Sequence, residues 1–422
     1  MQVIDFFILI GTLTINDGLL CCEPFPLEKK MMSIKMSCSR LCKQLTGKKL
    51  RILVIRAGFP YHKDPLLYHW LWVFIMAPFI DEDSLNDLSE KHGKPLRKLY
   101  RLLRRYPEAF ERFVQLFSRP LFFELLDELE GANATAKSRQ RIKLIVDDTK
   151  AEKFGKCMEF LHKLYDHTKD EYIMGYNYVL LLVVSGSVAF PLSFILWLPK
   201  EHPDHRSKND IVCDELTTLH AACDAKGYTL REVEFLGDSA YCVQKVLAVA
   251  DKAGFRIITK PGNTHKFEFE GEKLTPKEII DKVKKRHWKY LEANIWYHRV
   301  AAHHHKYGDV VLVVRCRQLK NKKVIYDVLM CNKPFYTAVR VHISYKKRWE
   351  IELHFKYYKQ YLNLGKSQFG KLGSIRSQLA CVAIAGLMVA LFRRQACRKI
   401  SFRQAVKLIA QELRGGKPTP YQ

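Results

Sequence analysis

The most informative stretch of the chain is YKKRWEIELHFKYYK, residues 345–359. Four of its residues, Tyr345, Arg348, Glu352 and Lys359, stand at offsets of 0, 3, 7 and 14. On an α-helix, residues at such spacings share one narrow face. The stretch therefore predicts a helix with a tyrosine, two cations and a single carboxylate on one side. The cations can bind phosphates and the carboxylate can bind a metal, so this face suits a nucleic-acid backbone.

An upstream run, IKLIVDDT at residues 142–149, predicts a buried β-strand that ends in two adjacent carboxylates. Strand side chains alternate between the two faces of a sheet, so Asp147 and Asp148 cannot both face one site. The residues alone leave both as candidates.

A second strand ending in an aspartate is predicted at VEFLGDSAY, residues 233–241, with Asp238 at its end and a helix over residues 241–253. Two apolar runs lie between the aspartates, at residues 176–184 and 188–197, and the turn Ser185-Gly186-Ser187 separates them. This pattern predicts a β-hairpin. Further β-type runs, including residues 310–317 and 323–331, precede the predicted helix that carries Glu352.

The spacing Y-x2-R-x3-E-x6-K resembles the signature of the DDE transposases of insertion-sequence family four. The resemblance implies that Glu352 is the third member of an Asp, Asp, Glu metal-binding triad. The family's D-x-T pattern selects Asp147 over Asp148 as the first member, and Asp238 stands where the second is expected. It also implies an α/β fold with a ribonuclease-H-like catalytic core, a mixed sheet flanked by helices, interrupted by a β-rich insertion and preceded by an N-terminal helical domain.

The expected domain limits follow from this order of elements. They are an unassigned N-terminal segment at 1–36, a helical DNA-binding domain at 37–135, the first part of the catalytic core at 136–257, the β-rich insertion at 258–340, and the second part of the core, with the glutamate helix and the C-terminal helices, at 341–422. Within the helical domain, residues 84–91 and 96–105 flank a glycine-centred turn and resemble a helix-turn-helix.

The resemblance implies an enzyme that cleaves the ends of an insertion sequence and joins them to target DNA. Asp147, Asp238 and Glu352 would hold two Mg2+ ions, for which Mn2+ can substitute. Tyr345, Arg348 and Lys359 would bind phosphates beside the scissile bond. The partners would be double-stranded DNA, as terminal inverted repeats and as target, and a second copy of the chain in a synaptic homodimer. The expected location is the cytoplasm of a prokaryote, in association with the nucleoid.

Two alternatives belong to other classes of protein. The chain could be a catalytically inactive, DNA-binding descendant of a transposase, or a hydrolytic nuclease of the same fold that never joins strands. The formal net charge of +26 favours a polyanionic partner in all three cases. Three aromatic residues of the predicted insertion, Trp288, Trp296 and Tyr326, are candidates for stacking on a flipped base, although ordinary packing accounts for them as well.

Other features of the sequence receive structural interpretations. Cys38 and Cys42 lack a second pair at zinc-ligand spacing, so a zinc site is not expected. His303-His304-His305 is interpreted as a basic loop, because three consecutive side chains converge poorly on one ion. The apolar run at residues 378–392 is shorter than a membrane-spanning helix, so we expect a buried helix packed on the sheet and no membrane partner.

Overall fold

The structure is a computed structural model that describes residues 55–59, 77–79, 96–132, 141–155, 157–166, 169–366, 369–396 and 400–413. The expectations for residues 1–36, for Cys38 and Cys42, and for the first helix of the helix-turn-helix lie outside these residues. The second helix of that pair is present as a helix.

The described residues form nine α-helices and twelve strands. The helices are α1 (Leu96–Arg105), α2 (Pro107–Gly131), α3 (Lys208–Asp224), α4 (Gln244–Lys252), α5 (Pro276–Val283), α6 (Ala338–Lys346), α7 (Trp349–Tyr361), α8 (Leu372–Gln395) and α9 (Phe402–Leu413). The strands are β1 (Lys143–Glu152), β2 (His162–Asp166), β3 (Glu171–Ser185), β4 (Val188–Trp197), β5 (Glu234–Gly237), β6 (Arg256–Thr259), β7 (Phe267–Phe269), β8 (Glu272–Leu274), β9 (Lys289–Glu292), β10 (Ile295–His304), β11 (Gly308–Gln318) and β12 (Val324–Cys331).

The twelve strands make one mixed sheet in the order β2-β3-β1-β5-β6-β12-β11-β10-β7-β8, with β4 paired to β3 and β9 paired to β10. Strands β1, β5 and β6 are mutually parallel, and β3 and β4 form the predicted antiparallel hairpin. Gly186 in its turn has a φ of +57°, a conformation that glycine adopts without a Cβ penalty. The mixed α/β architecture agrees with the expected fold class.

Strand β1 does not end at the two aspartates, as the sequence predicted, but continues to Glu152. The antiparallel pairing with β3 supports this extension, whereas the parallel pairing with β5 ends at the pair Val146 and Gly237. Asp147 and Asp238 are therefore the first residues beyond that parallel ladder on each strand. The β-branched run thus predicted a buried strand correctly and its end incorrectly, because residues 147–152 remain in the strand by pairing with β3.

The predicted single helix over residues 345–359 is two helices, which is a second correction. Helix α6 ends at Lys346, and α7 begins at Trp349 after a turn. In this turn, Arg348 N–H donates to Tyr345 O at 2.9 Å, a three-residue spacing that tightens the chain into 3₁₀ geometry. Lys347 and Arg348 keep right-handed helical backbone angles.

The apolar C-terminal segment forms the buried helix α8, which packs on β4, α2 and α1. Its length is 24 residues, so the length argument against a membrane span was wrong. Among the described helices it is the one long and apolar enough to cross a membrane, yet 89% of its most apolar window is buried inside the protein. Burial in the core explains its apolar composition.

The strands expected to form a separate insertion continue the sheet of the core. Strand β12 joins β6 through the pairs Met330 with Thr259 and Cys331 with Ile258. The limits predicted at 257/258 and 340/341 fall inside β6 and α6. As domain limits, these positions stay a prediction.

Candidate active site

Asp147 and Asp238 lie just beyond the end of the parallel ladder between β1 and β5, and Glu352 is joined to Asp147 through Arg348. Asp147 and Asp238 are neighbours there because their strands are parallel and in register. Asp238 Oδ1 accepts the backbone N–H of Ala240 at 2.9 Å, which fixes the turn after β5. Glu352 lies in the first turn of α7, where the positive end of the helix dipole stabilises a negative charge.

Arg348 connects two of these carboxylates directly. Its Nη1 donates to Asp147 Oδ2 at 3.0 Å and its Nη2 to Glu352 Oε1 at 2.5 Å. The side chains of Arg348 and Asp147 are only 17% and 18% exposed, so water screens their ion pair weakly. One guanidinium therefore holds the carboxylates of β1 and α7 together.

The electrostatic environment of Asp147 disfavours its charge. Burial, in first place, and the negative charge of Asp238, in second, raise the pKa of Asp147 to about 7 from an ordinary value of 3.8. A hydrogen bond from the N–H of Asp148 and the charge of Arg348 oppose this shift without cancelling it. A carboxylate that is desolvated beside another negative charge is a site at which a further cation would be stabilising.

Asp148, the alternative to Asp147 as the first carboxylate, points to the other face of the sheet, where both of its carboxylate oxygens have hydrogen-bond partners. Lys208 Nζ pairs with its Oδ2 at 2.7 Å, Asn177 Nδ2 donates to the same oxygen at 2.9 Å, and Tyr241 OH donates to Oδ1 at 2.9 Å. Burial by itself would raise the pKa of Asp148, but these partners outweigh it and lower the pKa. This geometry favours a structural role for Asp148.

The other two candidates of the 345–359 stretch are Tyr345 and Lys359. The guanidinium carbons of Arg348 and Arg315 lie 6.0 and 5.8 Å from the ring centre of Tyr345. Burial raises the pKa of the Tyr345 hydroxyl to about 12, so it stays protonated and can donate a hydrogen bond. Lys359 Nζ donates to the backbone oxygen of Lys150 at 2.8 Å, and burial lowers its pKa.

The aromatic candidates for base stacking lie together at one end of the sheet. The ring centres of Trp288 and Tyr326 are 5.8 Å apart, and Trp296 packs against Tyr290 at 6.4 Å. All three candidates are half-buried, whereas Tyr290, which the sequence analysis did not single out, is 66% exposed.

The first two of the three consecutive histidines end strand β10, where the sequence analysis expected a loop, and all three line one cavity. His303 pairs with Asp309 at 2.9 Å on the surface, and His304 is buried with its Nε2 3.4 Å from His265 Nδ1. Burial, followed by the positive charge of His265, lowers the pKa of His304 to about 4. A cavity of about 520 Å³ lies beside them, with Lys266, Lys273 and Lys306 among its other lining residues.

The carboxylate site fits a hard divalent cation by its donor chemistry. Asp147, Asp238 and Glu352 offer only oxygen ligands, which Mg2+ and Mn2+ prefer. Within the part of the chain that the structure describes, no three His, Cys, Asp or Glu side chains converge closely enough to enclose an ion as they stand. The guanidinium of Arg348 occupies the space between two of the three carboxylates, so a cation would take over its charge-neutralising role.

The fold and the site define an α/β protein with an acidic centre at the carboxyl edge of parallel strands, completed by a glutamate from a late helix. The family described as Transposase DDE domain matches residues 138–388, which is more than half of the chain. The chain belongs to this family. No curated protein matches it significantly.

Sequence reasoning missed the partners that separate the two adjacent aspartates. Lys208 and Asn177 carry no local signal for their contacts with Asp148, since they come from α3 and β3. Tyr241 could have been noticed, because it follows Asp238 by three residues in the same strand-to-helix turn. The pairing of Arg348 with both Asp147 and Glu352 was also missed, although the spacing of four residues permits the contact between Arg348 and Glu352.

Proposed function

We propose that the protein is a DNA transposase that cleaves the ends of an insertion sequence and joins them to target DNA by two-metal-ion chemistry. The observation that carries the proposal is that Asp238 neighbours Asp147 beyond the parallel ladder, while one arginine binds both Asp147 and Glu352. Membership of the family and the charge of +26 support it. The order of strand, hairpin, helix, parallel strand and late glutamate helix supports a ribonuclease-H-like core.

Asp147, Asp238 and Glu352 would hold the ions. When bound, two Mg2+ ions activate the attacking water or 3′-hydroxyl and stabilise the leaving oxygen of the phosphodiester. Asp147 is linked to both other carboxylates, because Asp238 follows the neighbouring strand β5 and Arg348 pairs with both Asp147 and Glu352.

The cationic residues of the same stretch would bind DNA phosphates. Arg348 has donors beyond the two that it uses on Asp147 and Glu352, and a planar guanidinium can donate paired hydrogen bonds to a carboxylate or to a phosphate. Tyr345 supplies a hydroxyl that stays protonated at neutral pH. Lys359 supplies a point charge next to β1.

The proposal extends to partners and place of action. The substrates are the terminal inverted repeats and a target duplex, and two copies of the chain act as a homodimer that holds both ends. Trp288, Trp296 and Tyr326 are the residues from which a base-stacking aromatic would come. The protein acts in the prokaryotic cytoplasm, associated with the nucleoid.

Cleavage of DNA that carries the sequences flanking the gene, with and without Mg2+, tests this function. We expect cleavage by the wild type and none by Glu352→Gln. The matched control is Glu350→Gln, which changes the same residue type in the same turn of α7, where Glu350 pairs with Lys347 on the surface. Equal activity of wild type and Glu352→Gln would refute the metal assignment.

The products separate the alternative classes. Strand-joined products indicate a transposase, whereas cut ends that are never joined to a target indicate a hydrolytic nuclease. Tight binding of the flanking repeats by wild type and variants alike, without cleavage by any of them, would indicate the inactive descendant.

A further inference from the structure

A second cluster of charged side chains lies at the opposite edge of the parallel strands. Lys143, Glu234 and Arg256 begin β1, β5 and β6 and stand side by side in the register of the sheet. Arg141 stands two residues before the first residue of β1. Since Asp147 lies beyond the other end of this ladder, the cluster is separate from the carboxylate site.

Three arginines of this cluster converge on one hydroxyl group, that of the buried Tyr336. Arg340 Nη2 donates to Tyr336 OH at 2.8 Å and Arg256 Nη1 at 2.9 Å, and Arg141 Nη1 donates to the same oxygen. We call Arg141, Arg256 and Arg340 the arginine cluster. A phenol oxygen has two lone pairs, so it cannot satisfy three donors at once. The cluster therefore has more hydrogen-bond donors than its central acceptor can take.

The charges around Tyr336 are also unbalanced. Glu234 is fully buried. Its carboxylate forms ion pairs with Arg141 and Lys143, each at 3.5 Å, and with Arg340 at 3.9 Å. Arg256 pairs with Glu232. The arginine cluster and Lys143 thus bring four cations to two carboxylates. The Nε of Arg141 is buried and has no hydrogen-bond partner among the described residues. An added anion would relieve this excess of positive charge.

The cluster is open to solvent on the side of Arg340, whose side chain is 29% exposed. Its guanidinium lies over the Tyr336 ring at 3.8 Å, a stacking contact that fixes its orientation. The loop that carries Tyr336 is held in place by Arg299, which donates to Pro334 O at 2.5 Å and to Tyr336 O at 3.3 Å. Phe335, beside it in the chain, is 68% exposed. The site is therefore preformed and accessible.

We propose that the arginine cluster binds a backbone phosphate of DNA, with Arg340 as the outer, direct contact and Arg141 and Arg256 behind it. This inference rests on the proposed function, because DNA supplies the phosphate. The two non-bridging oxygens of a phosphodiester accept the donors that Tyr336 OH leaves unsatisfied, and a guanidinium binds them through two parallel bonds. Lys143 and Asp147 are four positions apart on β1, roughly 13 Å at 3.3 Å per residue. One duplex turn, about 34 Å long, can span both sites.

The test measures the affinity of the full chain for a fluorescent DNA duplex in EDTA, over a range of salt concentrations. The variant is Arg340→Gln, and the matched control is Lys200→Gln, which removes one exposed positive charge after β4. We expect Arg340→Gln to bind roughly ten-fold more weakly, the effect of one lost charged hydrogen bond. The slope of log affinity against log salt should decrease by about 0.9, which is one phosphate contact. Both effects should be independent of DNA sequence.

Two outcomes would overturn the proposal. The first is an affinity and a salt slope for Arg340→Gln equal to those of Lys200→Gln. The second is that the wild type and Arg340→Gln bind DNA alike, while inorganic phosphate raises the melting temperature of the wild type only. That result would show that the site binds a small anion and not the DNA backbone. If Arg340→Gln does not fold, Arg340→Lys keeps the charge without the planar fork, and wild-type affinity for DNA in that variant would overturn the proposal.

Because binding is measured in EDTA, it is independent of cleavage. A wild type that binds DNA through Arg340 but never cuts it would support this inference and refute the proposed function. If the wild type cuts DNA in Mg2+ and the Arg340→Gln variant binds DNA like Lys200→Gln, the result would support the proposed function and refute this inference.

Discussion

Replacing Asp147 by asparagine is expected to stabilise the metal-free protein at neutral and alkaline pH. The pKa of Asp147 is raised from 3.8 to about 7 in the folded protein, chiefly by burial and by Asp238. The folded state therefore binds this proton more tightly than the unfolded state. By linkage, the free energy of unfolding falls as the pH rises from about 4 to about 7. Asparagine resembles the protonated form and does not incur this loss.

The magnitude follows from the size of the shift. A difference of about 3 pKa units, at ~1.4 kcal/mol each, gives an upper limit of about 4 kcal/mol at a pH of about 8. At a pH of about 4 the difference between wild type and variant should nearly vanish, because Asp147 is then largely protonated in the folded protein. The measurement is urea unfolding in EDTA at both pH values.

Addition of Mg2+ should reverse the order at high pH. The wild type gains stability because an ion that binds only the folded state stabilises it, and the Asp147→Asn variant lacks a ligand for that ion. Asp148→Asn is the matched control, since the adjacent carboxyl has a lowered pKa and an ion pair with Lys208. That variant should be less stable than the wild type at high pH. A difference between Asp147→Asn and wild type that does not change with pH would refute the reasoning.

Three further predictions concern the packing around the site. Lys208→Met removes the 2.7 Å ion pair with Asp148, which has a lowered pKa in the folded protein and therefore stabilises the fold at pH values above the pKa of an unfolded aspartate. We expect a loss of about 2 kcal/mol that diminishes towards acid pH in urea titrations. A loss equal at all pH values would contradict this. Gly386→Ala places a Cβ 2.8 Å from the hydroxyl of the buried Tyr358 and should lower the free energy of unfolding, measured chemically, by roughly 1–3 kcal/mol. Gly131→Ala has open space around it and should lower this free energy by nothing. Equal stabilities of the two variants would show that α8 moves away without cost. Asn332→Leu should cost about 3 kcal/mol in thermal unfolding, because the Asn332 amide joins β12 to β6 by accepting from Ile257 N–H at 2.8 Å and donating to Asp251 at 2.9 Å; wild-type stability would mean that the paired strands alone hold this junction.

Much of the secondary structure around the site could be predicted from local patterns. The run ending at Asp147, the hairpin of β3 and β4, and the strand before Asp238 were all recognisable, because alternation and turn residues are contained in short segments. The errors were at the ends of elements. Strand β1 continues beyond Asp147 because β3 pairs with it, and the 345–359 stretch divides at Arg348, where a turn with 3₁₀ geometry replaces one turn of helix.

The candidate site was predicted as a set of residues, but its internal contacts were not. Spacing placed Arg348 and Glu352 on one face, yet gave no indication that Arg348 also binds Asp147 across 201 residues of chain. The arginine cluster around Tyr336 had no local signal at all. Arg141 and Arg340 are 199 residues apart in the chain, and both donate to the hydroxyl of Tyr336, which lies in the loop after β12.

The sequence by itself determined the order of strands and helices, the family resemblance, the residues that could form the acidic centre, and a net charge suited to DNA. These properties depend on composition and on periods of two to four residues, which a single chain displays directly. The tertiary structure alone decided that Asp147 faces Arg348 while Asp148 faces Lys208, that β12 continues the sheet from β6, and that three arginines share one hydroxyl. Such choices depend on strand register and on contacts between distant segments, because a side chain takes its partner from whatever the fold brings beside it.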